Sequence, residues 1–138
     1  MSHLPFLDTN IFIYAFLDDE RSSKAQEIVS KPYVTSVQAF NEFASVVRRK
    51  WPQKWGEIHR SLDGLRRMAV TVVELDVQLN ASAIDLVDKY NFAFYDALMV
   101  AAALEAESTV FLSEDMHDGL TVDGRMKIVN PFASRLHA

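Results

Sequence analysis

Short apolar segments alternate with amphipathic stretches along most of the 138-residue chain, and this alternation constrains the fold more than any other feature. The strand-like segments, rich in β-branched or aromatic residues, are 4–7, 33–34, 70–73, 109–112 and 127–129. The helix-like segments are approximately 11–17, 24–29, 36–50, 54–67, 77–89 and 93–106. Strands that alternate with helices favour a parallel sheet with helices on both faces. We therefore expect an α/β fold, a three-layer α/β/α sandwich around a mostly parallel sheet.

Three of the predicted helices begin with a capping signal. Ser23 with Gln26, and Thr35 with Gln38, fit the capping-box pattern, in which a hydroxyl oxygen accepts a hydrogen bond from a backbone N–H of the first turn. Asp76 precedes the fifth helical segment and is a favoured N-cap residue type. The sequence thus predicts N-caps at Ser23, Thr35 and Asp76.

Length and composition favour a single globular domain over residues 1–138. Domains have roughly 100–200 residues, and the sequence has no internal repeat, low-complexity tract or linker-like segment. Hydrophobic residues make up 49% and charged residues 24%, which is inconsistent with a disordered chain. The absence of cysteine excludes disulfides, thiolate metal sites and cysteine nucleophiles. Any bound metal must therefore be held by oxygen or imidazole ligands.

The first residues lack a basic region, and Asp8 interrupts their apolar run, so we expect no signal peptide. The longest uncharged apolar run, 97–104, is far shorter than the roughly 20 residues that a membrane span needs. We therefore expect a cytoplasmic protein with no membrane segment. The formal net charge of −5 disfavours sequence-independent binding to nucleic-acid phosphates unless positive charge is supplied locally.

Two aspartates follow predicted strands, at the sheet edge where ligands of open α/β folds bind. Asp8 ends the first strand, and Asp115 follows the strand 109–112. Each also has a purely structural interpretation, because Asp8 is well placed to cap the next helix and Asp115 lies in an acidic turn.

Two further carboxylates are candidates for the same edge. Asp96 lies in an apolar stretch, 92–100, where its alternative role is to complement the dipole of the helix that begins there. Glu42 lies on a helix face of mostly small side chains, which is compatible with a cleft or with a solvated surface. Four converging carboxylates would repel one another unless a cation compensated them. All-oxygen ligation suits Mg²⁺ or Mn²⁺, and such ions assist phosphodiester hydrolysis.

Four segments of the chain resemble, in order and spacing, the acidic motifs of PIN domains of the bacterial VapC-type toxin group. These are Phe-Leu-Asp-Thr-Asn at 6–10, Asn-Glu-Phe at 41–43, Phe-Tyr-Asp-Ala-Leu-Met-Val-Ala-Ala-Ala at 94–103 and Leu-Ser-Glu-Asp-Met at 112–116. The resemblance implies a Mg²⁺- or Mn²⁺-dependent endoribonuclease with the acidic quartet Asp8, Glu42, Asp96 and Asp115.

The resemblance also implies roles within the site. Metal binding is expected at Asp8, Asp96 and Asp115, with Glu42 helping to position the attacking water. Asn10 is implied as a polar helper, and Ser113 as a hydroxyl that orients a carboxylate. Asp118 is either a fifth acid or a loop aspartate.

Partners are implied as well: an RNA substrate, a cognate antitoxin protein and a second copy of the chain in a homodimer. Five aromatic residues are candidate anchors for protein contacts, with burial in the core as the alternative: Phe12, Tyr14, Phe16, Trp51 and Trp55. The basic groups 48–50 and 66–67, with Lys54 and Arg60 between them, either hold RNA phosphates or are solvated helix ends.

Two other functions fit part of the pattern. An aspartyl phosphotransferase also places an aspartate after its first strand, but Asn10 cannot act as the acid/base group that such enzymes generally have two residues further on. A non-catalytic domain could keep an acidic pocket for a structural cation or a partner peptide. The histidines show no metal-ligand spacing; they are His3, His59, His117 and His137.

Overall fold

A computed structural model describes residues 4–133 and contains six strands and six helices in that part of the chain. The strands are β1 (Phe6–Leu7), β2 (Tyr33–Ser36), β3 (Ala69–Val73), β4 (Val110–Leu112), β5 (Thr121–Val122) and β6 (Met126–Val129). The helices are α1 (Thr9–Ala15), α2 (Ser22–Val29), α3 (Val37–Lys50), α4 (Trp55–Met68), α5 (Val77–Tyr90) and α6 (Phe94–Glu105).

The strands form one sheet in the order β3-β2-β1-β4-β6-β5. All neighbouring pairs are parallel except β5 and β6, which are antiparallel. Strand β1 is central, with Phe6 paired to Val34 of β2 and to Phe111 of β4. Helices flank this sheet, so the predicted α/β class with a mostly parallel sheet is confirmed.

The core lies between the sheet and its helices. The rings of Phe6 and Phe111 stack on the two central strands with centroids 5.2 Å apart. Helix α6 is buried over seven consecutive residues, 97–103, and it packs along α5. Burial on all sides explains why this helix has little polar surface beyond its first turn.

Two predicted capping residues are wrong. Strand β2 extends to Ser36 because its pairing with β3 continues that far, so Ser36 rather than Thr35 caps α3 and accepts from the Ala39 N–H. The Thr35 hydroxyl is buried and donates to the Leu7 carbonyl instead. Helix α2 begins at Ser22, which places the predicted cap Ser23 inside the helix.

The Asp76 cap is confirmed by a 2.8 Å hydrogen bond to its side chain from the Leu79 N–H. Helix α1 begins two residues earlier than expected because Asp8 caps it. Strand β5 was not predicted, since two residues are too few to produce a periodic signal.

Of the four histidines, His59 and His117 are exposed, and His3 and His137 lie outside the described residues. Phe12 is fully buried against Tyr33 and Phe40, so the idea that it anchors a partner is wrong. No helix in residues 4–133 is both long and apolar enough to span a bilayer.

Candidate active site

The candidate site lies where the two central parallel strands end. Asp8 follows β1 and Ser113 follows β4, and the Asp8 N–H donates a 3.0 Å hydrogen bond to the carbonyl of Leu112. From β1, the chain continues to β2 on one side, whereas β4 lies on the other side. This is a topological switch point, where side chains at the carboxyl ends of strands surround a crevice.

Asp8 is 5% exposed and caps α1. Its Oδ1 accepts a 2.8 Å hydrogen bond from the Thr9 N–H, which confirms the capping role. Its Oδ2 accepts from the Ser113 hydroxyl at 2.7 Å and from the Asn10 amide at 3.5 Å. Both oxygens therefore accept hydrogen bonds, and the carboxylate is held at the base of the crevice.

Asn10 links the two strand ends. Its Nδ2 lies 3.2 Å from both Ser113 Oγ and Asp115 Oδ2, to which it donates. Its Oδ1 accepts a 3.2 Å hydrogen bond from the Glu114 N–H. Ser113 Oγ also accepts from the Asp115 N–H at 3.2 Å, so Asn10 and Ser113 together orient the loop that carries Asp115.

Glu42 is half-buried in the second turn of α3. The Thr9 hydroxyl donates to its Oε1 at 3.0 Å, and the Gln38 amide donates to its Oε2 at 2.9 Å. Of the two alternatives for Glu42, a cleft or a solvated surface, these contacts favour the cleft. The contacts of Thr9 and Gln38 with Glu42 were not predicted from the sequence. The contact of Gln38 could have been, because residues four positions apart on a helix are neighbours.

Asp96 lies in the first turn of α6 and is half-buried, whereas Asp115 is exposed. Burial raises the pKa of Asp8 to about 7, even though hydrogen bonds from Ser113 and Thr9 favour its charged form, and the charges of Asp96 and Glu42 raise it further. Burial also raises the pKa of Asp96, as do the charges of Glu42 and Asp115. Asp96 therefore lies within electrostatic range of each of the other three predicted carboxylates.

No Lys, Arg or His side chain in residues 4–133 forms an ion pair with any of the four carboxylates. Their mutual repulsion is thus not offset by basic residues of the described chain. Such a donor set, all carboxylate oxygen with a buried member, has the chemistry that hard divalent cations prefer.

Within the described chain, no group of three or more acidic, histidine or cysteine side chains is arranged to hold one ion directly. Mg²⁺ characteristically takes one or two protein carboxylates and keeps several waters. The cluster satisfies that requirement, so its residues fit a divalent cation.

A second network supports the Asp115 loop from outside. The Glu114 carboxylate accepts hydrogen bonds from the Tyr14 hydroxyl and, at 3.0 Å, from the Arg21 guanidinium. Arg21 also lies 3.9 Å from the centroid of the Tyr14 ring and pairs with Asp19 at 2.9 Å. This network was missed because its members are 93 and 100 positions from Glu114 along the chain.

Asp118 lies beyond the cluster in the same loop. Its Oδ1 accepts a 2.8 Å hydrogen bond from the Asn130 N–H, which ties the loop to the end of β6. Of the two interpretations of Asp118, this contact supports that of a loop aspartate.

Comparisons with known proteins bear on both fold and family. A toxin–antitoxin complex from Klebsiella pneumoniae is similar at a TM-score of 0.71 and 17% identity, over 93% of this chain and 98% of that chain. The sarcin-ricin loop cleaving toxin VapC20 of Mycobacterium tuberculosis is similar at a TM-score of 0.62 and 14% identity, over 78% and 86%. VapBC2 from Rickettsia felis, bound to a DNA fragment from its promoter, is similar at a TM-score of 0.59 and 14% identity, over 81% of this chain and 87% of that chain.

No curated protein matches the sequence significantly. The structural similarities, all below 20% identity, establish a shared fold. The sequence itself matches the PIN domain over residues 6–117, a range that contains all four candidate carboxylates. On this match and the shared fold, the chain belongs to the PIN domain family.

Proposed function

We propose that this chain is a Mg²⁺- or Mn²⁺-dependent endoribonuclease that hydrolyses RNA phosphodiester bonds. The observation that carries the proposal is the cluster of four carboxylates around buried Asp8, which has no basic partner in the described residues. Such a cluster is unfavourable by itself and becomes favourable when a divalent cation binds. Phosphate oxygens of a substrate can then complete the coordination of that cation.

In this proposal, Asp8, Asp96 and Asp115 hold the cation, either directly or through water. When bound, the cation lowers the pKa of a water and offsets the negative charge that develops on the phosphate. Glu42 would orient the attacking water, with its own carboxylate fixed by Thr9 and Gln38. Asn10 and Ser113 keep Asp8 and Asp115 in place.

The hydrogen bonds of Asn10 disfavour an aspartyl phosphotransferase. In that reaction a carboxylate two residues beyond the nucleophile transfers a proton. Here the residue at that position is an amide whose Nδ2 donates to Ser113 and Asp115 and whose Oδ1 accepts from the Glu114 N–H. An amide has no titratable proton for this role.

We further propose that the protein is the cytoplasmic toxin of a toxin–antitoxin pair. The structures that it resembles are described as a toxin–antitoxin complex, a VapC20 toxin and a VapBC2 complex. An antitoxin that places a basic side chain among the carboxylates would supply the missing positive charge.

A homodimer is also proposed. Phe12 is excluded as an anchor, but Phe16 is 53% exposed. Val77 and Ile84, seven positions apart on α5, are exposed as well. Apolar side chains of this size at the surface are typical of protein contacts.

The test is cleavage of single-stranded RNA by the purified full-length chain with Mg²⁺, with Mn²⁺ and with EDTA. Cleavage with either metal and none with EDTA supports the proposal. A chain that binds Mn²⁺ but leaves RNA intact would instead favour the non-catalytic acidic-pocket domain. The variant Asp88→Asn, on the exposed surface of α5, serves as the control for loss of one carboxylate.

A further inference from the structure

Basic side chains are concentrated in one short part of this acidic protein. Residues 48–67 carry seven of the 14 Lys and Arg residues but two of the 19 Asp and Glu residues. This segment has a formal charge of +5, against −5 for the whole chain. It comprises the last turn of α3, the connecting loop and nearly all of α4.

The positive charge of this segment is exposed and mostly unpaired. All seven basic side chains lie at the surface, and four of them have no side-chain hydrogen bond or ion pair within residues 4–133; these are Arg49, Lys50, Arg60 and Arg67. The two acidic residues are already engaged. Asp63 pairs with Arg66 at 2.9 Å, and Glu57 accepts from the Lys54 N–H at 3.3 Å. The segment therefore presents positive charge that the described chain does not neutralise.

An exposed aromatic ring lies within this charge. Trp55 is 58% exposed, and the guanidinium carbon of Arg48 lies 5.0 Å from its ring centroid. An indole with one face near a cation and much of its surface in water is suited to stack with a nucleic-acid base.

One face of α4 leaves room for a polymer to approach. Gly56, Arg60, Gly64 and Arg67 are spaced so that they share this face. A Cβ at Gly64 would meet no atom within 4 Å, and one at Gly56 would meet only the Arg60 side chain, at 3.9 Å. Glycine inside an exposed helix costs about 1 kcal/mol relative to alanine, so these two positions do not serve helix stability.

The basic surface is connected to the candidate site through α3. Glu42 and Lys50 belong to the same helix and are separated by about 12 Å along its axis, at 1.5 Å per residue. A groove of about 370 Å³ lies between α3 and α4, and its polar lining comprises Asn41, Arg66 and Glu74. A strand of a few nucleotides can therefore contact both regions.

We propose that α4 and the last turn of α3 form a binding surface for the sugar-phosphate backbone of single-stranded RNA, outside the acidic cluster. Arg60 and Arg67 contact phosphates, and Trp55 stacks on a base. This inference rests on the proposed ribonuclease function and adds to it the place where the substrate is held. It also explains how a chain with net negative charge retains a polyanion beside four carboxylates.

The direct test is binding of a fluorescein-labelled single-stranded RNA to the full-length chain in EDTA, measured by anisotropy over a series of salt concentrations. The test variant is Arg60→Gln/Arg67→Gln. The matched control is Lys31→Gln/Lys127→Gln, which removes the same charge from two exposed residues whose side chains are also unpaired in the described chain.

The test variant should weaken RNA binding about tenfold or more and reduce the slope of log K against log salt by about 1.4, since each phosphate contact in single strands contributes about 0.7. The control should bind within about twofold of the wild type. Trp55→Ala should weaken binding about fivefold or more at an unchanged salt slope. With Mg²⁺ present, the arginine variant should raise KM and leave kcat unchanged.

Equal affinity of the test and control variants would overturn the inference, even if the wild type cleaves RNA. The inference would also be overturned if the arginine variant kept its affinity for RNA but lost that for a protein partner. A third outcome separates the two proposals. If the wild type binds RNA in a salt-dependent way, the arginine variant does not, and no metal supports cleavage, the binding surface is supported and the ribonuclease function is refuted.

Discussion

The hydroxyl of Ser113 donates a 2.7 Å hydrogen bond to Oδ2 of Asp8, although the two residues are 105 positions apart in sequence. This contact joins the ends of the adjacent parallel strands β1 and β4. Ser113 is fully buried and Asp8 nearly so. The contact stabilises the charged form of a carboxylate that burial would otherwise keep protonated. The chemistry proposed for the site therefore depends on the register of β1 and β4.

Replacing Ser113 with alanine should raise the pKa of Asp8 above about 7, because the hydrogen bond that favours its charged form is lost. The amide of Asn10 and the N–H of Asp115 also lose an acceptor. Affinity for Mn²⁺ near pH 7 should fall. NMR titration of the Asp8 carboxyl measures the shift directly. Ser108→Ala is the matched control, since that buried hydroxyl has no hydrogen-bond partner in the described structure; an equal pKa of Asp8 in both variants would contradict the role of Ser113.

The raised pKa of Asp8 also predicts how stability depends on pH without metal. In the folded state Asp8 keeps its proton up to about pH 7, whereas in the unfolded chain it releases it near the ordinary 3.8. The folded state therefore binds more protons in this range, and the free energy of unfolding falls as pH rises from about 4 to 7, by at most about 4 kcal/mol. The stabilisation that protonated Asp8 contributes is fully present below about pH 3.8 and is lost above about pH 7.

Asp8→Asn should abolish much of this pH dependence and be relatively more stable at the alkaline end. Urea unfolding in EDTA, near pH 5 and near pH 8, measures the difference. Asp76→Asn is the matched control, because Asp76 also caps a helix but lies outside the cluster. If Asp8→Asn and Asp76→Asn show the same pH dependence as the wild type, Asp8 does not titrate in the way described.

Divalent metal should stabilise the folded protein, because the carboxylate cluster exists only in the folded state. By linkage, Mn²⁺ at about 100 times its Kd adds about 2.7 kcal/mol to the free energy of unfolding and raises Tm. Asp8→Asn should show a much smaller shift, whereas Asp88→Asn should respond as the wild type does. An equal rise of Tm in Asp8→Asn would place the metal elsewhere.

Much of the fold was predictable because its elements carry strong local signals. The apolar spacing of α3 and the β-branched run of β3 identify these elements without tertiary information. The cap of α3 was misplaced by one residue because Thr35 and Ser36 are both hydroxyl residues, and only the pairing of β2 with β3 determines where the strand ends. Strand β5 exists because β6 pairs with it, which no local pattern of two residues reveals.

The four acidic residues of the site could be predicted from the sequence, but the contacts that position them could not. Asp8 and Asp115 are recognisable as candidates because each follows a strand, and Asp96 because its neighbours in sequence are apolar. The contacts of Glu42 with Thr9 and of Glu114 with Arg21 join residues 33 and 93 positions apart. Such pairs depend on how helices pack on the sheet, and a single sequence contains no local signal for them.

Oligomeric state and inhibition test the proposed assignment to a toxin–antitoxin pair. Light scattering at micromolar concentration should give the mass of a homodimer, and a monomer would contradict that part of the proposal. The complex with the cognate antitoxin should lose ribonuclease activity. Association should slow as salt rises, because an acidic cleft attracts a basic segment over a distance that salt screens. Undiminished cleavage in a saturated complex would count against inhibition at this site.

If the four carboxylates form one metal-dependent nuclease site, the variant Asp96→Asn should lose its nuclease activity and keep its fold. The amide keeps the shape of the side chain and removes its carboxyl group. The pKa of that carboxyl is raised by burial and by the charges of Glu42 and Asp115. The measurement is the rate of RNA cleavage with Mg²⁺ and with Mn²⁺, together with Tm in EDTA. Cleavage should be abolished while Tm in EDTA is unchanged or slightly higher, and Asp88→Asn should keep wild-type activity. Wild-type turnover by a folded Asp96→Asn protein would contradict a metal-dependent site that includes Asp96.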